Sequence, residues 1–167
     1  MIRVAVLTVS DRRSRGEASD GGGPAVARAV ESIPGATVVA RGIVADDRVA
    51  IASRLRALAL DADLILTTGG TGIAERDVTP EATRDAIDRD APGFSEEMRR
   101  RSVASFPRAI LSRGVSGTIG RCLVLNLPGS PSGAVECVEF IAPVLTHAVK
   151  VLRGGLGDCQ DDPEPSS

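Results

Sequence analysis

At 167 residues, with a net charge of −2 and both signs mixed along its length, the chain reads as one domain with a genuine core and no basic footprint for nucleic acid. Its longest apolar runs are strand-length and no signal-peptide pattern precedes Ile2, which argues against a membrane span and predicts a cytoplasmic protein. Cys122, Cys137 and Cys159 lie far apart without a CxxC pair, so they fit neither a disulfide framework nor a zinc site.

In chain order, Ile2–Val9 (IRVAVLTV) is a nearly continuous apolar run, as in a buried strand of a parallel sheet. A polar, glycine-rich connection covers Ser10 to Pro24. Val26, Ala29, Val30 and Ile33 then recur at helical spacing until Pro34-Gly35. Thr37–Val44 is a second strand. Asp46 or Asp47 caps the next helix, whose Ile51, Leu55 and Leu58 form one face. Asp63–Thr68 is a third strand and runs into Gly69-Gly70-Thr71-Gly72. Thr79-Pro80-Glu81 starts a helix with Thr at the cap, and a further helix follows Ala91-Pro92-Gly93 as far as Ser105. Ala109–Leu111 and Val115–Ile119 are expected to be short extended pieces around Ser112-Arg113-Gly114. Cys122–Leu127 is a buried strand, and after it Ser130 caps a long last helix with Pro131 in its first turn. Val135, Val138, Ala142, Leu145, Val149 and Leu152 give that helix an apolar stripe long enough to touch a second subunit. From Gly155 to Ser167 the chain is acidic and proline-containing, with disorder expected.

Strands alternating with helices predict an α/β fold, a three-layer, doubly wound and mostly parallel sheet over residues 1–154, with ligands at the carboxyl ends of the strands. Ser10-Asp11, Asp46, Gly69–Asp77 and Asn126–Pro131 all fall at such ends, so four loops converge on one crevice. Glycines at a strand end let backbone N–H groups face a ligand, and a helix N-terminus beside them suits an anion. A carboxylate beside such a cradle suits Mg²⁺ that in turn holds phosphate. Thr67–Pro80 thus reads as a phosphate-and-metal site, with Asp46 and Asp77 as its carboxylates and Asp47 not separable from Asp46 by spacing. The scarcities narrow the chemistry. Of 20 basic side chains only Lys150 is a lysine, in Val149-Lys150-Val151, which excludes a P-loop. The single histidine, His147, lies on the apolar-striped last helix, so a Ser–His or Cys–His pair has little to rest on. Asp, Glu, Arg, hydroxyls, amides and a metal remain, a set that suits phosphoryl or nucleotidyl transfer. Asn126–Pro131 offers a second anion site at a helix start. Ser112-Arg113 offers an arginine fork for another anionic group, and Arg99–Arg101 read as a solvated helix face.

TTGGTGIAERDVTPEAT (Thr67–Thr83), PGFSEEMR (Pro92–Arg99), AILSR (Ala109–Arg113) and NLPGSPSG (Asn126–Gly133), in this order, resemble the molybdopterin adenylyltransferase family, the MogA/MoaB-type proteins related to the gephyrin G domain. The first strand and loop, VSDRRSRGEASDGGGP, also look like that family's, with Asp20-Gly21-Gly22-Gly23-Pro24 where the family often has serine before a glycine. The likeness runs from Ile2 to Gly154. It implies a homotrimer working in molybdenum cofactor biosynthesis, transferring AMP from ATP to the terminal phosphate of molybdopterin with Mg²⁺ and releasing pyrophosphate. Asp46 and Asp77 are then the catalytic, metal-holding carboxylates. Gly69, Gly70, Thr71 and Gly72 with Ser10 and Asp11 bind the nucleotide phosphates, and Ser112, Arg113, Asn126, Pro128, Gly129 and Ser130 face the pterin. A downstream molybdenum-insertion protein is an implied partner, and nucleic acid and membrane are not. Three other readings are a non-catalytic pterin carrier, a nucleotide pyrophosphatase of the competence-damage type, and a structural interaction domain. The pyrophosphatases carry a GGLGPTxDD-like segment where this chain has GGTGIAERD.

Overall fold

The computed structural model describes residues 1–154. The acidic segment 155–167, with Cys159, lies outside the described residues. The buried run IRVAVLTV becomes β1 (Ile2–Val9), exposed only at Arg3. It lies between β2 (Ala36–Val44) and β3 (Leu64–Thr68), and β3 pairs in turn with β6 (Cys122–Leu127), all parallel. The sheet is finished by β5 (Ser116–Ile119), antiparallel to β6, and by the two-residue β4 (Arg89–Asp90), antiparallel to β5, giving six strands in the order β2-β1-β3-β6-β5-β4. β3 and β6 are buried at every position, which is why they read as largely apolar stretches, whereas β2, at the edge, alternates half-buried with exposed residues.

Helices cover both faces, as the alternation of elements predicts. On one side α2 (Gly22–Ala29), α5 (Pro92–Ser105) and α6 (Pro131–Leu152) set Val26, Met98, Val138 and Leu145 against Val4, Val6, Leu66 and Leu125. On the other α3 (Arg48–Leu58) and α4 (Thr79–Ala86) set Ile51, Leu55 and Ala82 against Ala5, Leu7, Ile65 and Val124. A short α1 (Asp11–Ser14) follows β1. The apolar stripe of α6 is largely consumed inside the molecule: Val138, Ala142, Leu145 and Val149 are buried, together with Ala134, Cys137 and Ile141.

Several local expectations are corrected. Ala109–Leu111 is not extended. It belongs to a 3₁₀ turn, Pro107–Leu111, in which Ala109 N donates to Phe106 O (2.9 Å) and Ser112 N to Ala109 O (3.0 Å), with Pro107 fixing the first φ. The glycine-rich connection ends earlier than its composition suggests, because Asp20 accepts from Gly23 N (3.0 Å) and from Thr8 Oγ1 (2.9 Å) and so starts α2 at Gly22. Thr79 sits inside α4, with Val78 at the cap position. Ser130 occupies the cap position of α6 without a side-chain capping bond.

At the amino end of the parallel strands Asp63 receives Arg3 N (2.7 Å), Arg3 Nε (3.3 Å) and the Arg153 guanidinium (2.6 and 3.2 Å), tying the end of α6 to β1 and the start of β3. Burial opposes ionisation, but the hydrogen bonds from Arg153 and Arg3 prevail and hold this carboxyl at about 2. A carboxyl depressed by folding contributes stability above its ordinary range and loses it as the pH falls toward the folded value. Asp63→Asn is therefore expected to cost about 2 kcal/mol near neutral pH. The deficit, measured by urea unfolding, should narrow as the pH drops from about 4 to about 2.

Candidate functional site

The chain passes from β1 to β2 on one side of it and then crosses to β3 on the other side, so a crevice opens at the carboxyl ends of β1 and β3. The loop after β3 fills it at very close range. Gly69 has φ +103°, and a β-carbon there would stand 2.4 Å from the Val9 carbonyl oxygen. Gly70 has φ +64°, and its β-carbon would stand 2.3 Å from Thr79 Oγ1. Only glycine fits at either position. Thr79 fastens the loop by donating Oγ1 to Gly69 O (2.9 Å) and N to Gly70 O (3.1 Å). The N–H at the head of α4 is thus spent on the loop's own carbonyl rather than offered to an anion. The N–H groups of Gly70, Thr71 and Gly72 have no acceptor among the described residues, and these are the free donors of the crevice.

Two carboxylates border those amides. Asp46 Oδ1 lies 3.1 Å from where a Gly70 β-carbon would be, and Asp77 Oδ2 lies 2.7 Å from that of Gly72. Asp46 is held by a reciprocal pair with the loop after β1: Asp11 N donates to Asp46 Oδ2 (2.8 Å) and Asp46 N to Asp11 Oδ1 (3.0 Å). Asp77 Oδ2 accepts from Ala74 N (3.2 Å). The structure separates the two neighbouring aspartates that spacing left open: Asp47 accepts from Ala50 N (2.7 Å) and caps α3, which leaves Asp46 to face the crevice. Burial raises the Asp46 carboxyl above its ordinary range, and the negative charges of Asp11 and Asp77 add to that against the hydrogen bond from Asp11 N. Among the described residues no group of three or more His, Cys, Asp or Glu side chains forms a metal cage. Two crowded carboxylates next to unpaired amides fit Mg²⁺, an ion that takes few protein ligands and the rest from phosphate and water.

Beside this crevice lies a cleft of about 550 Å³ between α5, the 3₁₀ turn and the head of α6. Ser112, Asn126, Pro128, Gly129 and Ser130 line it, and so do Thr71 and Gly72, which therefore belong to both cavities. At its floor the first-turn N–H groups of Ser132 and Gly133 have no acceptor among the described residues and meet the cleft with the positive end of the helix.

Three expected ligands have their side chains committed elsewhere. Asn126 is 3% exposed; its Nδ2 donates to Thr67 and Thr83 Oγ1 (both 3.0 Å) and its Oδ1 accepts from Val115 N (3.1 Å), so it welds β6 to β3, α4 and the start of β5. Ser10 Oγ accepts from Arg13 N (3.3 Å) and caps α1. Arg113 does not fork into the cleft: its guanidinium reaches Gly72 O, Asp77 O and Glu81. Sequence reading missed Arg99, placed on a solvated face but lining the cleft and donating to Ser112 O (2.9 Å) and Gly114 O (3.2 Å). Arg100 and Arg101 do pair with Glu97 on the exposed side of α5. Arg108, stacked 5.2 Å from the Phe106 ring centre, was missed as well, and no motif marks it. His147 is exposed and away from the cleft lining.

Residues 5–147 match the family described as a probable molybdopterin binding domain. A molybdopterin adenylyltransferase of Helicobacter pylori strain J99 is 39% identical over 156 residues, 92% of this chain and 89% of its own. Molybdenum cofactor biosynthesis protein B of Staphylococcus carnosus is 43% identical over 156 residues, 90% of this chain and 91% of its own. The crystal structure of the molybdopterin biosynthesis enzyme MoaB from Thermus thermophilus superposes with a TM-score of 0.86 at 48% identity, covering 92% of this chain and 98% of that one.

Two outcomes follow from the crevice geometry. Gly70→Ala is expected to displace Thr79 or Asp46 and to lower stability by about 1–3 kcal/mol, read as a lower urea midpoint. Asp46→Asn is expected to raise the thermal midpoint of the ligand-free protein at neutral pH. It relieves a half-buried charge whose folded pKa is raised, and the gain disappears as the pH falls through that pKa.

Proposed function

This chain belongs to the family of probable molybdopterin-binding domains of molybdenum cofactor biosynthesis, and we propose that it is a molybdopterin adenylyltransferase, the activity for which its curated relatives are named. In the finer reading it transfers AMP from ATP to the terminal phosphate of molybdopterin. A phosphate oxygen of the pterin attacks the α-phosphorus in line, the new P–O bond forms as the α–β bond breaks, and pyrophosphate leaves. The nucleophile is already ionised, so no general base is needed and the absence of a histidine from the cleft is no obstacle. The demand is for positioning and for neutralising charge.

The observation that carries this reading is the Thr71-Gly72 junction, shared between an anion cradle flanked by Asp46 and Asp77 and a cleft headed by the free amides of α6. In it Gly70, Thr71 and Gly72 donate to the nucleotide phosphates, supported from behind by Gly69 and by the Asp11–Asp46 pair that Ser10 leads into. Ser112, Pro128, Gly129 and Ser130 enclose the pterin, and Ser132 and Gly133 hold its phosphate. Asp46 and Asp77 would hold Mg²⁺, which when bound supplies positive charge between the phosphate groups. The reading treats residues 1–154 as one domain. A homotrimer is part of it, for which the exposed groove of Pro92, Phe94, Phe140, Pro143 and Val144 offers apolar surface. So are a cytoplasmic location and hand-over to a molybdenum-insertion protein. No helix among the described residues is long and apolar enough to cross a membrane.

The test is to mix the protein with molybdopterin, ATP and Mg²⁺ without oxygen and to quantify pyrophosphate and adenylylated pterin. Both should form in a Mg²⁺-dependent manner. Asp46→Ala or Asp77→Ala should lower turnover by on the order of 10²–10³-fold, with pterin affinity retained. Normal turnover in Asp77→Ala removes the metal assignment.

A further inference from the structure

Arg113 stands in a segment whose neighbours, Ser112 and Gly114, line the cleft, yet its own side chain leaves the cleft and enters the neighbouring loop. There its backbone N donates to Thr71 O (2.8 Å), Nε to Gly72 O (2.7 Å), and the two terminal nitrogens to Asp77 O and to the Glu81 carboxylate. Arg113 is the hub of the turn Thr71–Asp77: its backbone N–H holds the Thr71 carbonyl at one end, and its guanidinium holds the carbonyls of Gly72 and, at the other end, of Asp77 itself. A second arginine holds the base of the hub. Arg99, on α5, donates to the carbonyls of Ser112 and Gly114 on either side of Arg113 (2.9 and 3.2 Å).

We propose that Arg113 is a positioning residue that couples the two half-sites, setting the Asp77 carboxylate and the Gly72 amide from the wall of the cleft, with Arg99 fixing its base. The proposal rests on the adenylyl-transfer reading and adds a division of labour to it: Arg113 aligns the loop that meets the nucleotide and does not touch the pterin phosphate. Arginine suits this task because a planar fork satisfies several carbonyls in fixed directions at once. A lysine at the same place keeps the charge and loses the fork. Bound substrate pressing on Ser112 and Gly114 acts on the same segment that carries Arg113, so filling the cleft tightens the carboxylate loop.

The experiment combines steady-state kinetics with hydrogen–deuterium exchange of the segment Thr71–Asp77 in wild type, Arg113→Lys, Arg99→Lys and Glu81→Gln. Arg113→Lys is expected to lower kcat by on the order of 10²-fold, the scale of a small misplacement of a reacting group, with the KM for molybdopterin within about threefold of wild type. Exchange in Thr71–Asp77 should rise in all three variants, and added molybdopterin should slow it in wild type but not in Arg113→Lys. A KM for molybdopterin raised about tenfold or more with kcat intact makes Arg113 a phosphate ligand and overturns the proposal. So does unchanged exchange in a variant that has lost turnover. Should Arg113→Lys not fold, Glu81→Gln and Arg99→Lys carry the same two readouts, and wild-type behaviour in both overturns the coupling. If wild type itself forms no adenylylated pterin, the functional reading fails while exchange, with and without molybdopterin, still decides the clamp.

Discussion

The whole upper end of the sheet depends on the missing side chain at Gly69. Its Cα passes the Val9 carbonyl so closely that a β-carbon would stand 2.4 Å from the oxygen, and on the other side it lies 3.3 Å from where a β-carbon on Gly129 would be. Three strand exits, from β1, β3 and β6, thus meet at one point with no side chain between them. That contact lets Thr68 Oγ1 reach Pro128 O (2.7 Å) and lets Thr79 tie α4 to the glycine loop. Without it the cradle and the cleft are two separate depressions on the surface. With it Thr71 and Gly72 form a wall common to both.

Two carboxylates on the same sheet show what each end is for. Asp63, at the amino end, is surrounded by hydrogen-bond donors and two arginines, and its carboxyl is pushed down to about 2. Asp46, at the carboxyl end, is raised by burial and by Asp11 and Asp77. The first arrangement stabilises the fold. The second costs stability, and the cost is sustained by the Asp11 amide and by the rigid glycine loop against which the carboxylate is set. Negative charge gathered in a crevice, with free amides beside it, suits a site that takes a cation and an anion together.

The fold was legible because its signals are local and redundant: β1, β3 and β6 are predominantly apolar runs of strand length, and Pro80, Pro92 and Pro131 mark helix starts within a residue of their place. The strand exits gave the crevice by topology alone. What spacing could not resolve was where each polar side chain turns. Asp46 and Asp47 are adjacent and chemically identical, and only the bond to Ala50 N assigns the cap to Asp47. Asn126 sits in a ligand-facing motif but is consumed by the sheet. Arg113 and Arg99 depend on carbonyls 41 and 13 residues distant in sequence, which no local pattern encodes. The turn at Pro107–Leu111 was misread because Ala-Ile-Leu looks extended when the proline before it is left out.

The placement of Asp46 and Asp77 also separates an enzyme from a carrier. A pterin carrier needs the cleft, whose lining mixes apolar surface with hydroxyls and arginines, holds the amides of Ser132 and Gly133, and includes neither aspartate. Two carboxylates set against Gly70 and Gly72 contribute nothing to holding one phosphorylated ligand, and by repulsion they weaken it. On the proposed adenylyl-transfer reading they become useful, because there a second polyphosphate and a divalent cation would occupy the glycine loop and negative charge from three sources would be brought within bonding distance. The structural fastening of that loop, by Thr79 from α4 and by Arg113 from the cleft wall, holds it at a fixed position relative to the cleft. A site that only stores a ligand has no use for such alignment, whereas in-line transfer between two bound anions depends on it.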